Sequence, residues 1–245
     1  LFPYTTLFRS GGPLSAWGNL GLWTGAMHYA EACAALADAV AAAGELAPGQ
    51  RVLSLACGAG EELLHRVRRH GAATAIGIEA DPALAARARQ RAAQAGLVSQ
   101  CRVVVQPALA WATQRSVADG RFDTALCVDA AYHLSPRKAL FKQMRRLLSP
   151  AGRLAFTDLV LEGRGPRPAV LRGAARLCGV PLADLVSADE RVRQLQAAGF
   201  VDVQVQRLDD AVLGGFVRFA SSQRARLGLQ AGDIALGYRG RCLNA

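Results

Sequence analysis

A chain of 245 residues, 51% of them hydrophobic, can bury one large core, and a single α/β domain is the natural expectation. The formal net charge of +10 is almost wholly arginine, since Lys138 and Lys142 are the only lysines, and it is spread over helix faces in an alanine-rich chain; that dispersal disfavours a phosphate-binding stripe and, with it, a nucleic-acid partner. Six cysteines, Cys33, Cys57, Cys101, Cys127, Cys178 and Cys242, show no paired spacing, so they indicate neither zinc nor a disulfide framework and read as buried, reduced thiols of a cytoplasmic protein, while no apolar run approaches a membrane span.

The first ten residues, Leu1 to Ser10, read as the in-frame translation of a short-read sequencing adapter, which places them outside the fold and assigns 11–245 to one domain. Next comes Trp17-Gly-Asn-Leu-Gly-Leu-Trp23, followed by an amphipathic helix over Ala26 to Ala43 that Gly44 and Pro48 close. Residues 11–48 form one N-terminal unit, which resembles the lid and helix of small-molecule methyltransferases. The stretch Arg51-Val-Leu-Ser-Leu-Ala-Cys-Gly-Ala-Gly60 is a buried-strand pattern running into two glycines, and Glu61 onward has helical spacing. Gly58 and Gly60 therefore lie on a strand-to-helix turn, where the main chain is open to a ligand and a helix N-terminus offers unpaired N–H groups.

A dinucleotide fingerprint would carry a third glycine where Leu63 stands. The second apolar run, Thr74-Ala-Ile-Gly-Ile, ends in Glu79, at the distance where a carboxylate reaches a ribose diol in either class of nucleotide site. Strands are predicted near 51–56, 74–79, 101–106, 122–128 and 153–160, with helices near 60–70, 82–95, 108–117 and 136–148. Such alternation implies a mostly parallel twisted sheet with helices on both faces and ligands at the carboxyl ends of the strands. The segment 161–188 breaks the pattern, with Gly163, Gly165, Pro166, Pro168 and Pro181 around a short helix over Val170 to Cys178. A helix from Ser187 to Ala198, a strand from Val201 to Leu208 and a helix from Ala211 to Arg226 follow, and only Asp233 to Ala245 remains for a closing antiparallel strand, which reads as incomplete.

Taken together, the Val-Leu-x-x-Ala-Cys-Gly-x-Gly loop, Glu79, the run Arg121-Phe-Asp-Thr-Ala-Leu-Cys-Val-Asp129 and the run Leu147-Leu-Ser-Pro-Ala-Gly-Arg-Leu-Ala-Phe-Thr-Asp158 resemble the class I S-adenosylmethionine-dependent methyltransferases, over residues 17 to 220. The resemblance implies a Rossmann-like fold and S-adenosylmethionine as cofactor, with Ser54, Ala56, Gly58, Gly60, Glu79, Ala108 and Asp129 as the cofactor-binding set and no metal. It also implies transfer of a methyl group to an oxygen or nitrogen of a small organic acceptor, in the branch that acts on sugars and natural products, with 161–188 as a substrate cap. Two departures stand out. Ser54 occupies the place of an acid that helps seat the methionine end, which predicts weaker cofactor binding and tightening on Ser54→Asp. Pro107 follows strand three where an acid is usual, leaving the adenine to Ala108 and apolar packing.

Methyl transfer from a sulfonium is an in-line displacement that needs a base only when the nucleophile arrives protonated. His133, in the loop after strand four, is the candidate base, and Asp158, at the end of strand five, its candidate partner; similar O-methyltransferases carry His and Asp at these places. A satisfied histidine and a loop-capping carboxylate are the alternatives, and Asp129 is equally suited to a turn role. For Trp23 the choice is between a lid over the ligand and an anchor for the first helix. Two rival functions remain: a nucleic-acid methyltransferase, and a degenerate nucleoside-binding fold without turnover.

Overall fold

A computed structural model describes residues 16–26, 28–161, 172–173, 175–176 and 178–227. Its frame is five strands, β1 (Arg51–Leu55), β2 (Thr74–Glu79), β3 (Cys101–Val105), β4 (Phe122–Cys127) and β5 (Leu148–Phe156). They form one all-parallel sheet in the order β3-β2-β1-β4-β5. The chain winds outward from β1 to β3 on one side and then returns to lay β4 and β5 on the other, so the switch point falls between β1 and β4.

The helices alternate with the strands: α1 (Tyr29–Ala43), α2 (Glu61–Arg68), α3 (Pro82–Gln94), α4 (Ala108–Gln114), α5 (Arg137–Leu147), α6 (Ala188–Ala197) and α7 (Gly215–Leu227). Alternate strand residues divide the core in two. Val52, Ala75, Val103 and Leu126 pack with Leu36 and Val40 of α1, Leu63 and Val67 of α2 and Ala88 of α3. Leu53, Leu55, Ile78, Ala125 and Cys127 pack on the opposite face with Trp111 of α4 and Leu140 and Met144 of α5. At about 1.5–3 kcal/mol for each fully buried large side chain, these two layers supply most of what holds the frame. The caps are local: the Asp81 carboxylate accepts from the Ala83 and Leu84 amides with Pro82 at the first helical position, and the Ser187 hydroxyl accepts from the Glu190 amide.

Two sequence expectations change. β5 begins at Leu148 rather than 153, pairing Leu148 with Phe122 before a bulge of Ser149 to Gly152 restores the register at Arg153 with Thr124. The expected strand over Val201 to Leu208 is absent, since no ladder forms there; Val201 is 81% exposed and Val205 59%. Alternating valines suit a strand only where an edge is there to receive them. Among the described residues the outer edge of β5 has no paired strand, and Asp233 to Ala245 lies outside the described residues, as do Leu1 to Ser10 and Cys242. The cysteines Cys33, Cys57, Cys101 and Cys127 are buried and Cys178 is half-buried, with no disulfide among the described residues. No described helix is long and apolar enough to cross a membrane.

Candidate active site

The carboxyl ends of β1, β2 and β4 converge at the switch point, and the glycine turn lies there. Ala56 adopts φ 52°, Gly58 56° and Gly60 82°, three left-handed residues in five. At Gly60 a side chain would also meet the Ala88 methyl of α3 at 2.7 Å, so the residue is needed for close approach. At Gly58 a side chain would meet nothing within 4 Å; the flank of this residue opens on space, as a loop that receives a ligand requires. The Gly58 amide donates to Glu79 Oε2 at 2.7 Å, and the Asp81 amide to Glu79 Oε1 at 3.0 Å. Glu79 thus ties the ends of β1 and β2 together, and each of its oxygens keeps a lone pair for a diol.

Ser54 is 0% exposed, and its hydroxyl donates to Glu62 Oε1 at 3.0 Å. Glu62, in the first turn of α2, also receives Arg66 Nη2 at 3.1 Å, and Arg66 Nη1 donates to the Ala37 carbonyl of α1 at 2.8 Å. A carboxylate therefore does stand beneath the loop, delivered from the helix and not the strand. Arg66 is fully buried, unlike its exposed neighbours Arg68 and Arg69. The i, i+4 spacing of Glu62 and Arg66 was the available sequence signal. The burial of Cys57 pushes its thiol well above the ordinary range, with the Glu79 and Glu62 charges adding to the effect, so it is inert at neutral pH. Ala108 is buried at the start of α4, directly after Pro107.

The segment from Trp17 to Trp23 is held at both ends. The Asn19 side chain donates to the Cys33 carbonyl and accepts from the Gly21 amide, while the Tyr29 hydroxyl donates to the Asn19 carbonyl. Trp23 stacks on Phe219 of α7 at 4.5 Å, its main-chain amide donating to the Ala211 carbonyl, so this tryptophan is an anchor. The Leu20 amide donates to Asp129 Oδ2 at 2.7 Å, and the Tyr132 hydroxyl to Asp129 Oδ1 at 2.8 Å. Asp129, at φ 52°, with its own amide donating to the Thr157 hydroxyl, joins the lid to the ends of β4 and β5.

His133 and Asp158 are not brought into a pair. Asp158 receives both terminal nitrogens of Arg137, at 2.8 and 3.1 Å, and forms an ion pair with Arg191, whose Nε lies 3.0 Å away, all three side chains being almost wholly buried. Two arginines at neighbouring positions in space are stronger partners for a carboxylate than an imidazole is, and neither was singled out from the sequence. His133 Nδ1 lies 3.3 Å from the Gly179 carbonyl, an acceptor only, so Nδ1 carries the proton and Nε2 the lone pair in the neutral ring. Burial, with the Arg137 charge nearby, lowers the His133 pKa from its ordinary 6.5, against the Gly179 bond. Gly179 belongs to the 161–188 segment, whose Val180 and Leu185 pack on Tyr132 and whose ends are drawn together by a parallel bridge of Leu161 with Ser187.

Residues 52–152 match the family model described as a methyltransferase domain. Over that span the chain is similar to the S-adenosylmethionine-dependent methyltransferases. It is 29% identical over 206 residues to the erythromycin 3''-O-methyltransferase of Saccharopolyspora erythraea, covering 81% of this chain and 66% of that one. It is 32% identical over 172 residues to the 27-O-demethylrifamycin SV methyltransferase of Amycolatopsis mediterranei, covering 69% and 60%. Among solved structures, the 4+2 cyclase SpnF superposes with a TM-score of 0.72 at 21% identity, over 98% of this chain and 85% of that one. The chain thus spans about two thirds or less of the length of these curated relatives, and the fold is the Rossmann-like one expected.

Proposed function

We propose that the protein transfers a methyl group from S-adenosylmethionine to a hydroxyl oxygen of a small organic acceptor. The observation that carries this reading is the glycine turn closed by Glu79, facing open space at Gly58 and adjoining a loop whose His133 holds an unprotonated Nε2. The names of the two curated relatives, both methyltransferases of natural products, support the acceptor class. S-adenosylmethionine supplies an electrophilic methyl carbon on a sulfonium. Glu79 accepts from a ribose diol, the Gly58 region gives the main chain access to the methionine end, and Glu62 places negative charge under the turn. His133 Nε2 takes the proton of the acceptor hydroxyl, oriented by Gly179 instead of by a carboxylate.

Residues 11–48 act in this reading as a lid and 161–188 as the substrate cap, a role supported by the Leu20 to Asp129 and His133 to Gly179 contacts. A cytoplasmic setting is supported by the absence of disulfides among the described cysteines. Against a nucleic-acid substrate, Arg66, Arg89, Arg145 and Arg146 donate to carbonyls of the chain itself instead of standing clear for phosphates. Calorimetric titration with S-adenosylmethionine and S-adenosylhomocysteine tests the reading. Micromolar binding of both is expected, and no heat with either, alongside binding of NADH, overturns it.

A further inference from the structure

Outside this site, one cluster of side chains has no part in the chemistry above. His65, near the end of α2, and His70, just beyond it, both turn Nε2 toward Asp38 Oδ1 of α1, at 2.6 and 2.9 Å. The three donor atoms all lie within 4.8 Å of one another, and all three residues are half-buried at the protein surface, where an ion can enter. We propose that Asp38, His65 and His70 form a site for a divalent transition ion of the zinc type, clamping α1 to α2.

The donor set is the argument. Two imidazoles and one carboxylate are a ligand set for zinc, copper, nickel or cobalt, whereas magnesium and calcium select oxygen. In a tetrahedral site with metal–ligand bonds near 2.0–2.1 Å, ligand atoms stand about 3.3 Å apart. The Asp38 separations of 2.6 Å to His65 and 2.9 Å to His70 would open by about 0.7 and 0.4 Å to reach this, within reach of small side-chain rotations. The fourth position would fall to water or to Asp38 Oδ2. The charges facing the cluster are Arg66 and Arg69. Arg66 is already engaged by Glu62 and Ala37, and Arg69, whose Nε is 3.3 Å from Asp38 Oδ2, is two-thirds exposed and free to swing into solvent. Arg66 and Glu62 lie on the same helix and reach under the glycine turn, so an ion here would stiffen the helix that carries that turn. Trp17 rests edge-on against His65 at 5.3 Å between ring centroids, which places an optical reporter beside the site.

The experiment is calorimetric titration of the full chain with zinc chloride, with magnesium chloride as control, on the wild type, His65→Gln, His70→Gln and Cys178→Ser. Glutamine keeps an N–H for Asp38 but is a poor zinc ligand, so folding is preserved and is checked by thermal unfolding. The proposal predicts one equivalent of zinc bound in the micromolar range, no magnesium binding, a rise in wild-type melting temperature with zinc, and affinity lowered about tenfold or more in both glutamine variants. It also predicts that copper(II) quenches tryptophan fluorescence in the wild type and not in His65→Gln. The Cys178→Ser variant should bind as the wild type does. No zinc binding by the wild type, unchanged affinity in the glutamine variants, or loss of binding in Cys178→Ser overturns it.

Discussion

Ser54→Asp is the substitution that family resemblance recommends and the structure forbids. The serine is fully buried with its hydroxyl 3.0 Å from Glu62, so an aspartate would set a second carboxylate beside the first. Two such charges about 4 Å apart repel by about 4 kcal/mol at an effective dielectric of ~20. Loss of the Ser54 to Glu62 hydrogen bond adds about 1 kcal/mol, while Arg66, at 3.1 Å from Glu62, offsets part of the repulsion. A net destabilisation of about 3 kcal/mol follows, or a fall of about 10 °C in melting temperature for a chain of this size. Glu62→Gln removes the charge that causes it, and so the penalty of Ser54→Asp should shrink to below about 1 kcal/mol in that background. Thermal unfolding of the wild type, both single variants and the double variant closes the cycle. A Ser54→Asp protein as stable as the wild type, or one penalised equally with and without Glu62, would refute the reasoning. The expected tightening of cofactor binding should then appear only in the double variant.

Glu79→Ala should weaken S-adenosylmethionine binding by about 2–3 kcal/mol, the loss for charge-assisted bonds to a diol, as read by calorimetry on a folded variant. His133→Ala should lower turnover by about 10²–10⁴ with little change in cofactor affinity. The wild-type rate should fall on acidification below the ordinary histidine value of 6.5, because the lowered His133 pKa keeps the ring neutral above that point. The same shift contributes stability that is fully present above pH 6.5 and is lost as pH falls through the lowered value, so His133→Gln should flatten the acid side of the stability curve. Asp158→Asn should cost about 3–5 kcal/mol in denaturant unfolding, since it strands Arg137 and Arg191 as buried, uncompensated charges.

The frame was legible because its signals are local. Strand alternation, the glycine turn and the acid at Glu79 each lie within one short run, and the parallel sheet followed from their order. The distribution of charge was not legible. The arginines read as charge spread over helix faces, and only the packing of α1 against α2 shows that Arg66 is fully buried beside Glu62. Asp158 read as a partner for His133 from strand adjacency and from similar O-methyltransferases; what displaces that pairing is Arg137 together with Arg191, the latter distant in sequence and brought in by α6. Val201 to Leu208 carries the period of a strand, but a period states a preference and a ladder needs a neighbour.

The same limit governs the reaction. A cyclase superposes on this chain at a TM-score of 0.72, so the sheet and its turn do not by themselves decide between methyl transfer and other chemistry. What differs among proteins on one frame is the ring of groups around the mouth: here the N-terminal segment joined through Leu20 to Asp129, Tyr132 joined to the same carboxylate, and the segment before α6 joined through Gly179 to His133. Asp129 and His133 stand four residues apart on the loop after β4, one contacting the N-terminal segment and the other the segment before α6. In the reading proposed above, a shift of that loop would move lid, cap and base together, and an acceptor that seats the covers would also set the base. On this arrangement the acceptor's binding energy is what positions Nε2, so a truncated acceptor should lose turnover as well as affinity.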